Sequence, residues 1–265
     1  MEKLQAALEK ARRTRGDTPN APRTTSPIDK CSQGGLDALW AELAPFDVPD
    51  HLLQSHLVVT RQAGPEATPF DILRTKVLLQ MRQNGWKRLA ITSPMPNSGK
   101  TTVACNLALG LGRQRDMRTI LMDFDLRAPS VSTVFETAPN HNIAELLTGQ
   151  VSFAEQALRF GDNVACCMTQ VAESDPTRML LAEETVEVLG HIEATYQPDV
   201  MIFDLPSVLV NDDTRAFLKN VDCALIVVRS SITRYSQFDT CEREVAEQTN
   251  SLGVVLNAYL DGDKG

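Results

Sequence analysis

No apolar run in this sequence approaches the roughly 20 residues that a bilayer-spanning helix needs, so no transmembrane segment is expected. The first residues carry no secretory apolar core either. An excess of basic charge is also missing, since 26 Lys and Arg stand against 34 Asp and Glu, a formal charge of -8. That balance argues against nucleic-acid partners, which call for a basic surface that displaces counterions. Histidine is scarce, and His51, His56, His141 and His191 are too scattered to predict a metal site. No C-x-x-C pair occurs among Cys31, Cys105, Cys166, Cys167, Cys223 and Cys241, which predicts reduced thiols in a cytosol. Tyrosine is rarer still, limited to Tyr196, Tyr235 and Tyr259. What remains is an ordinary globular composition, 43% hydrophobic and 23% charged over 265 residues. That length suffices for one sizeable α/β domain and a tail.

Three segments are expected. In the first, residues 1–15, Leu4, Ala7, Leu8 and Ala11 fall at helical spacing opposite Lys3, Lys10, Arg12 and Arg13. A solvated helix and a docking helix for a partner or an anionic surface both fit that pattern. Residues 16–50 read as a flexible linker, because the stretch to residue 35 is rich in Pro, Gly, Ser and Thr. A short apolar element at Leu36, Leu39, Trp40 and Leu43 follows within it. Residues 51–265 read as the main domain, with Leu57 to Val59 as a candidate edge strand. From about residue 68, apolar strands at 89–92, 119–122, 164–168, 200–203, 224–228 and 253–256 alternate with helical stretches. The fold class that follows is α/β: a mostly parallel sheet with helices on both faces.

The strand at 89–92 runs into Ser93-Pro94-Met95-Pro96-Asn97-Ser98-Gly99-Lys100-Thr101-Thr102, which opens a helix. Backbone amides at a helix N-terminus point at an anion, and the helix dipole adds to the attraction. Asn97, Ser98, Gly99, Lys100, Thr101 and Thr102 are therefore candidate nucleotide-binding residues. Gly99 lets the backbone approach the phosphates, Lys100 can reach the β- and γ-phosphates, and the Thr101 hydroxyl can ligate Mg²⁺. Pro94 stands where the usual motif begins with glycine.

Two later strands end in acids. Ile120-Leu121-Met122 is followed by Asp123-Phe124-Asp125-Leu126-Arg127, and Val200-Met201-Ile202-Phe203 by Asp204-Leu205-Pro206. In open α/β sheets this is the edge where ligands bind. Asp123 and Asp125 suit a divalent cation, or one holds the metal while the other orients a nucleophile. Asp204 can hold Mg²⁺ through a water. A single acid at a strand end is equally a turn former, whereas two in chain order after a phosphate loop point to a metal site. Arg127 can contact phosphate or pair with a carboxylate. Asn257, at the end of the last strand, can contact a nucleobase edge or serve as a turn residue.

In order and spacing these segments resemble the catalytic domain of the bacterial tyrosine kinases (BY-kinases) of capsule and exopolysaccharide systems, over about residues 65–260. Ser98 to Thr101 resembles the family's Walker A motif, Leu121 to Arg127 its Walker A′, and Val200 to Pro206 its Walker B. Asp175 to Leu181 is similar to the segment that opens the helix before Walker B. The resemblance implies the cofactors ATP and Mg²⁺ and phosphoryl transfer to tyrosine hydroxyls. It gives Lys100, Asp123 and Asp125 catalytic roles, with Asp123 as base or metal ligand, and Thr101, Asp123 and Asp204 the metal. It further implies an inner-membrane polysaccharide co-polymerase as partner, self-association, and a cytoplasmic location held at the inner membrane through that partner. Two features depart from the family. Its tail tyrosine cluster is reduced to Tyr259, and Thr68, Asp71 and Arg74 stand where its Glu-x-x-Arg-x-x-Arg pattern is expected. The same motifs leave two alternatives: an ATPase switch like the Min-system and partition ATPases, or an ATP-binding adaptor of the co-polymerase. Min-type proteins usually carry a lysine where this chain has Met95.

Overall fold

The computed structural model describes residues 30–259, with side chains from Gly34 onward. The expected N-terminal helix lies outside the described residues. In chain order the elements are α1 (Lys30–Glu42), β1 (Ala44–Phe46), α2 (Asp50–Ser55), α3 (Thr68–Asn84), β2 (Arg88–Thr92), α4 (Lys100–Gly112) and β3 (Thr119–Asp123). Then come α5 (Val131–Val134), α6 (Ile143–Leu147), α7 (Phe153–Gln156), β4 (Leu158–Phe160) and β5 (Val164–Cys167). The chain continues through α8 (Pro176–Leu181), α9 (Glu183–Tyr196), β6 (Val200–Asp204), α10 (Asp213–Leu218), β7 (Cys223–Arg229), α11 (Tyr235–Ala246) and β8 (Asn250–Asn257).

The eight strands form one sheet in the order β1-β4-β5-β3-β6-β2-β7-β8. Only β4 and β5 pair antiparallel, so β1 and β4 run against the other six. The central strands are buried along almost their whole length, because helices cover both faces. Side chains alternate across the sheet. Ala90, Ile120, Met122 and Phe203 join one core with α6 to α11, whereas Leu89, Ile91, Leu121 and Ile202 join the other with α3 and α4. The helix α4 suits this tight place because its sequence is rich in small residues; Ala104, Cys105 and Ala108 are fully buried. The helix α3 ends where Gly85 takes the left-handed conformation (φ 71°) and its N–H closes on the Met81 carbonyl, as C-terminal glycines do.

Two expectations are corrected. Residues 30–46, read as part of the linker, contain α1 and β1. Trp40 and Leu43 are buried in the core, and Trp40 Nε1 donates to the Tyr196 carbonyl at 2.9 Å. Apolar burial at these two positions and at Val48 outweighs the composition upstream. Leu57 to Val59 is no strand, and the edge strands of the sheet are β1 and β8. Leu57 turns left-handed (φ 59°), and the Asn106 side chain takes the place of a ladder. It donates to the Leu57 carbonyl at 2.8 Å and accepts from the Val59 N–H at 2.9 Å.

Candidate nucleotide-binding site

The loop between β2 and α4 is shaped by two left-handed residues, Asn97 (φ 60°) and Gly99 (φ 89°). At Gly99 a side chain has no room: a Cβ would lie 2.1 Å from Asn257 Nδ2. Hydroxyls tie the loop down from beneath. Ser93 and Ser98 each donate to the Met95 carbonyl at 2.8 Å, and Ser93 Oγ lies 3.0 Å from Ser207 Oγ in the loop after β6. The N-terminus of α4 therefore opens from a fixed cradle, with Lys100 largely buried and its Nζ 3.7 Å from Asp125 Oδ2.

Sheet order decides which acids meet this loop. β6 inserts between β2 and β3, and its register sets Asp204 beside Ile91 on one side and Asp123 on the other. Thr101 Oγ1 donates to Asp204 Oδ2 at 2.5 Å and lies 2.8 Å from Ser130 Oγ. Asp123 Oδ2 accepts two backbone N–H groups, from Ser130 and Val131, both at 2.9 Å. The remaining oxygens, Asp123 Oδ1 and Asp204 Oδ1, are buried and have no partner.

Such groups are costly, since a buried carboxylate that lacks partners loses its hydration without replacement. The same cost moves their proton affinities. Burial, then the neighbouring Asp204, holds the Asp123 carboxyl well above the usual carboxylate range. Burial raises Asp204 to about 6 against the opposing pull of Lys100 and the Thr101 hydroxyl. Asp125 is also raised by burial, with Lys100 again opposing. A divalent cation fits this arrangement: it supplies the positive charge that two orphaned oxygens on register-paired aspartates and one hydroxyl lack. Among the described residues, no three acidic, His or Cys side chains form a cage of their own. A metal held here would therefore complete its shell with phosphate oxygens and water, as Mg²⁺ commonly does.

On the other side of the loop lies a cleft of about 680 Å³. Thr102, Arg229 and Asn257 line it from α4, β7 and β8, and Leu57, Val59 and Phe70 supply an apolar wall. Asn257 Nδ2 donates to the Ser98 carbonyl at 2.9 Å, and Arg229 Nη1 to the Asn97 carbonyl at 2.8 Å.

Every residue expected at the site thus lies around this one loop. Arg127 does not join them. It makes a two-pronged pair with Asp213, at 2.5 and 3.0 Å, and Thr177 donates to the same carboxylate at 2.5 Å. The Asp175 to Leu181 segment is thereby latched to the loop after β3. Asp71 and Arg74 are also engaged within the chain. Asp71 binds Arg113 through both oxygens, and Arg74 bonds Asp71 and the Gly110 carbonyl. Three residues escaped the sequence reading: Ser130, Arg229 and Asn106. Their partners come from elements 29 to 132 residues away, so no local pattern marks them.

No protein-family model matches the chain. Among curated relatives it is similar to the tyrosine-protein kinase YwqD of Bacillus subtilis. The identity is 24% over 202 residues, which are 76% of this chain and 84% of that protein. The tyrosine-protein kinase Etk of Escherichia coli is 24% identical over 206 residues, 77% of this chain but only 28% of Etk. Among solved structures, the kinase domain of Escherichia coli Etk gives a TM-score of 0.71 at 23% identity, covering 79% of this chain and 82% of that one. The chimerical protein CapA2B2 gives 0.71 at 21% identity, covering 82% and 92%. The cell division ATPase MinD of Pyrococcus furiosus gives 0.56 at 23% identity, covering 67% and 74%. The chain is a homologue of bacterial tyrosine kinases, built on the P-loop ATPase fold that their kinase domains share with MinD.

Proposed function

We propose that this chain is an ATP-dependent protein-tyrosine kinase-like regulator of exopolysaccharide or capsule polymerisation and export. The observation that carries the nucleotide reading is the pair of buried, unpartnered oxygens on Asp123 and Asp204 beside Thr101 and the phosphate loop. The kinase reading adds the likeness to YwqD and Etk.

In this reading the amides from Asn97 to Thr102 grip the triphosphate and Lys100 balances charge on its β- and γ-phosphates. Thr101, Asp123 and Asp204 hold Mg²⁺. When bound, that ion would draw charge from the phosphate oxygens and the departing ADP. Asp125 steadies Lys100. Where Asp123 does not ligate the metal, its free Oδ1 serves instead as the base that takes the phenol proton as the tyrosine oxygen attacks. The cleft with Leu57, Val59 and Phe70 takes the nucleoside, and Asn257 faces the base. The acid side of the loop is dry, so the transferring phosphoryl group is kept from water.

The partner in this reading is an inner-membrane polysaccharide co-polymerase, which holds a cytoplasmic chain at the membrane. Among the described residues no helix is long and apolar enough to cross a membrane. A second reading, an ATPase switch or ATP-loaded adaptor, draws on the scarcity of acceptors. Tyr196 is buried against Trp40 and Phe153, which leaves only Tyr235 and Tyr259 exposed.

Incubation with labelled ATP and Mg²⁺, with and without a random glutamate–tyrosine copolymer, separates the readings. Phosphotyrosine that disappears in Lys100→Ala supports the kinase. Free phosphate without labelled tyrosine supports the switch, and binding without either product supports the adaptor.

A further inference from the structure

We infer that Ser130 is a positioning residue for the metal: its hydroxyl fixes the direction of the Thr101 hydroxyl and so presents one Thr101 lone pair to Mg²⁺. The inference rests on the Mg-ATP reading above and assigns a role that the motifs do not.

The argument starts from what a hydroxyl has to offer, one proton and two lone pairs. Asp204 Oδ2 has no proton to give when ionised, so the 2.5 Å contact with Thr101 Oγ1 uses the Thr101 proton. The 2.8 Å contact between Thr101 Oγ1 and Ser130 Oγ must then carry the Ser130 proton, donated to a Thr101 lone pair. Thr101 is left with one lone pair to offer a metal. Without Ser130, the Thr101 hydroxyl keeps its bond to Asp204 but regains freedom about its second lone pair.

The backbone of the same residue acts on the other acid. Ser130 N–H and Val131 N–H both bind Asp123 Oδ2, which turns Oδ1 away from them. One residue thereby orients two metal ligands that come from different elements: Thr101 from α4 and Asp123 from β3. The side chain and the main chain make separable contributions. Replacing the side chain removes only the Thr101 contact and leaves both amides on Asp123.

The test is titration with a fluorescent ATP analogue, first in EDTA and then with increasing Mg²⁺, on the full chain. In wild type, Mg²⁺ tightens nucleotide binding. In Ser130→Ala the Mg²⁺ concentration giving half of that tightening rises about 3- to 10-fold, the scale of one hydrogen bond, and affinity in EDTA is unchanged. Ser130→Thr keeps the hydroxyl and restores the wild-type value. Ser130→Cys preserves the packing with a weak donor and follows the alanine variant, which guards against a folding defect. The inference is overturned if the alanine and cysteine variants keep the wild-type Mg²⁺ requirement. It is overturned equally if they lose affinity in EDTA by the same factor, since that marks a general disturbance of the loop. If wild-type binding itself shows no response to Mg²⁺, the Mg-ATP reading falls as well.

Discussion

The two sides of the phosphate loop are built on opposite principles. On one side, Asp123 and Asp204 close two sheet strands, both fully buried, Asp125 follows β3, and burial pushes the proton affinity of all three upward. On the other, Arg229, Asn257 and Glu66 share an open cleft with an apolar wall. The acid side suits chemistry, since charges in a dry, low-dielectric place act strongly on a transferring phosphoryl group. The open side suits recognition, where a few polar groups and an apolar wall hold a planar ligand at little desolvation cost. Electrostatic strain is thus concentrated where a cation relieves it.

Removing the cation that spans the two sides is the most damaging change. Lys100→Ala is expected to weaken ATP binding by about 100-fold or more and to abolish transfer, measured by calorimetry and by label incorporation. It also strips Asp125 of its counter-charge. The comparison would be wrong in kind if this variant bound ATP as wild type does.

The acid side can be probed without ligand. Asp204 has a folded-state proton affinity raised to about 6, above its unfolded value near 4. A raised carboxyl is a stability contribution fully present below the unfolded value and lost as pH climbs through the folded one. Metal-free wild type should therefore lose about 2–3 kcal/mol between pH 4 and pH 8 from this group alone. Asp204→Asn removes that loss, so its metal-free form should be the more stable of the two at pH 8. Urea melts at both pH values check this, and a gap that fails to open with rising pH argues against strain at the site.

A smaller effect is expected at the junction of the sides. Gly99→Ala forces a left-handed alanine and drives Asn257 off the Ser98 carbonyl. The expected cost is about 1–2 kcal/mol in stability and about 10-fold in nucleotide affinity. Combining it with Asn257→Ala should recover part of the clash and none of the backbone strain. Least of all, Asn257→Ala alone should weaken ATP by a few-fold, about one hydrogen bond, and leave the Mg²⁺ requirement as it is. A changed Mg²⁺ requirement would mean that the open side reaches into the acid side.

Much of this was legible in the chain. Continuous apolar runs marked β2, β3, β5, β6, β7 and β8 but not the short β4, and the strand–loop–helix setting of Ser98 to Thr101 marked the cradle. Asp123 and Asp204 stood out because each closes such a run. Other parts were hidden for reasons that can be named. The Pro- and Gly-rich stretch before residue 36 disguised α1, whose tryptophan finds its partner on Tyr196, 156 residues later. Leu57 to Val59 has the look of a strand, yet one asparagine on α4 claims its backbone. Arg127 read as a phosphate ligand or an ion-pair partner, and a buried Asp213 takes it.

By itself the sequence determined the kind of fold and the chemistry on offer, because periodic burial and a phosphate loop depend on neighbours in the chain. Only the tertiary structure decided that β6 lies between β2 and β3, and hence that Asp204 meets both Thr101 and the strand of Asp123. Strand order is a competition among whole packed arrangements, and a pattern of local residues carries no term for it. The same is true of the two oxygens left without partners: being orphaned is a property of everything that surrounds an atom.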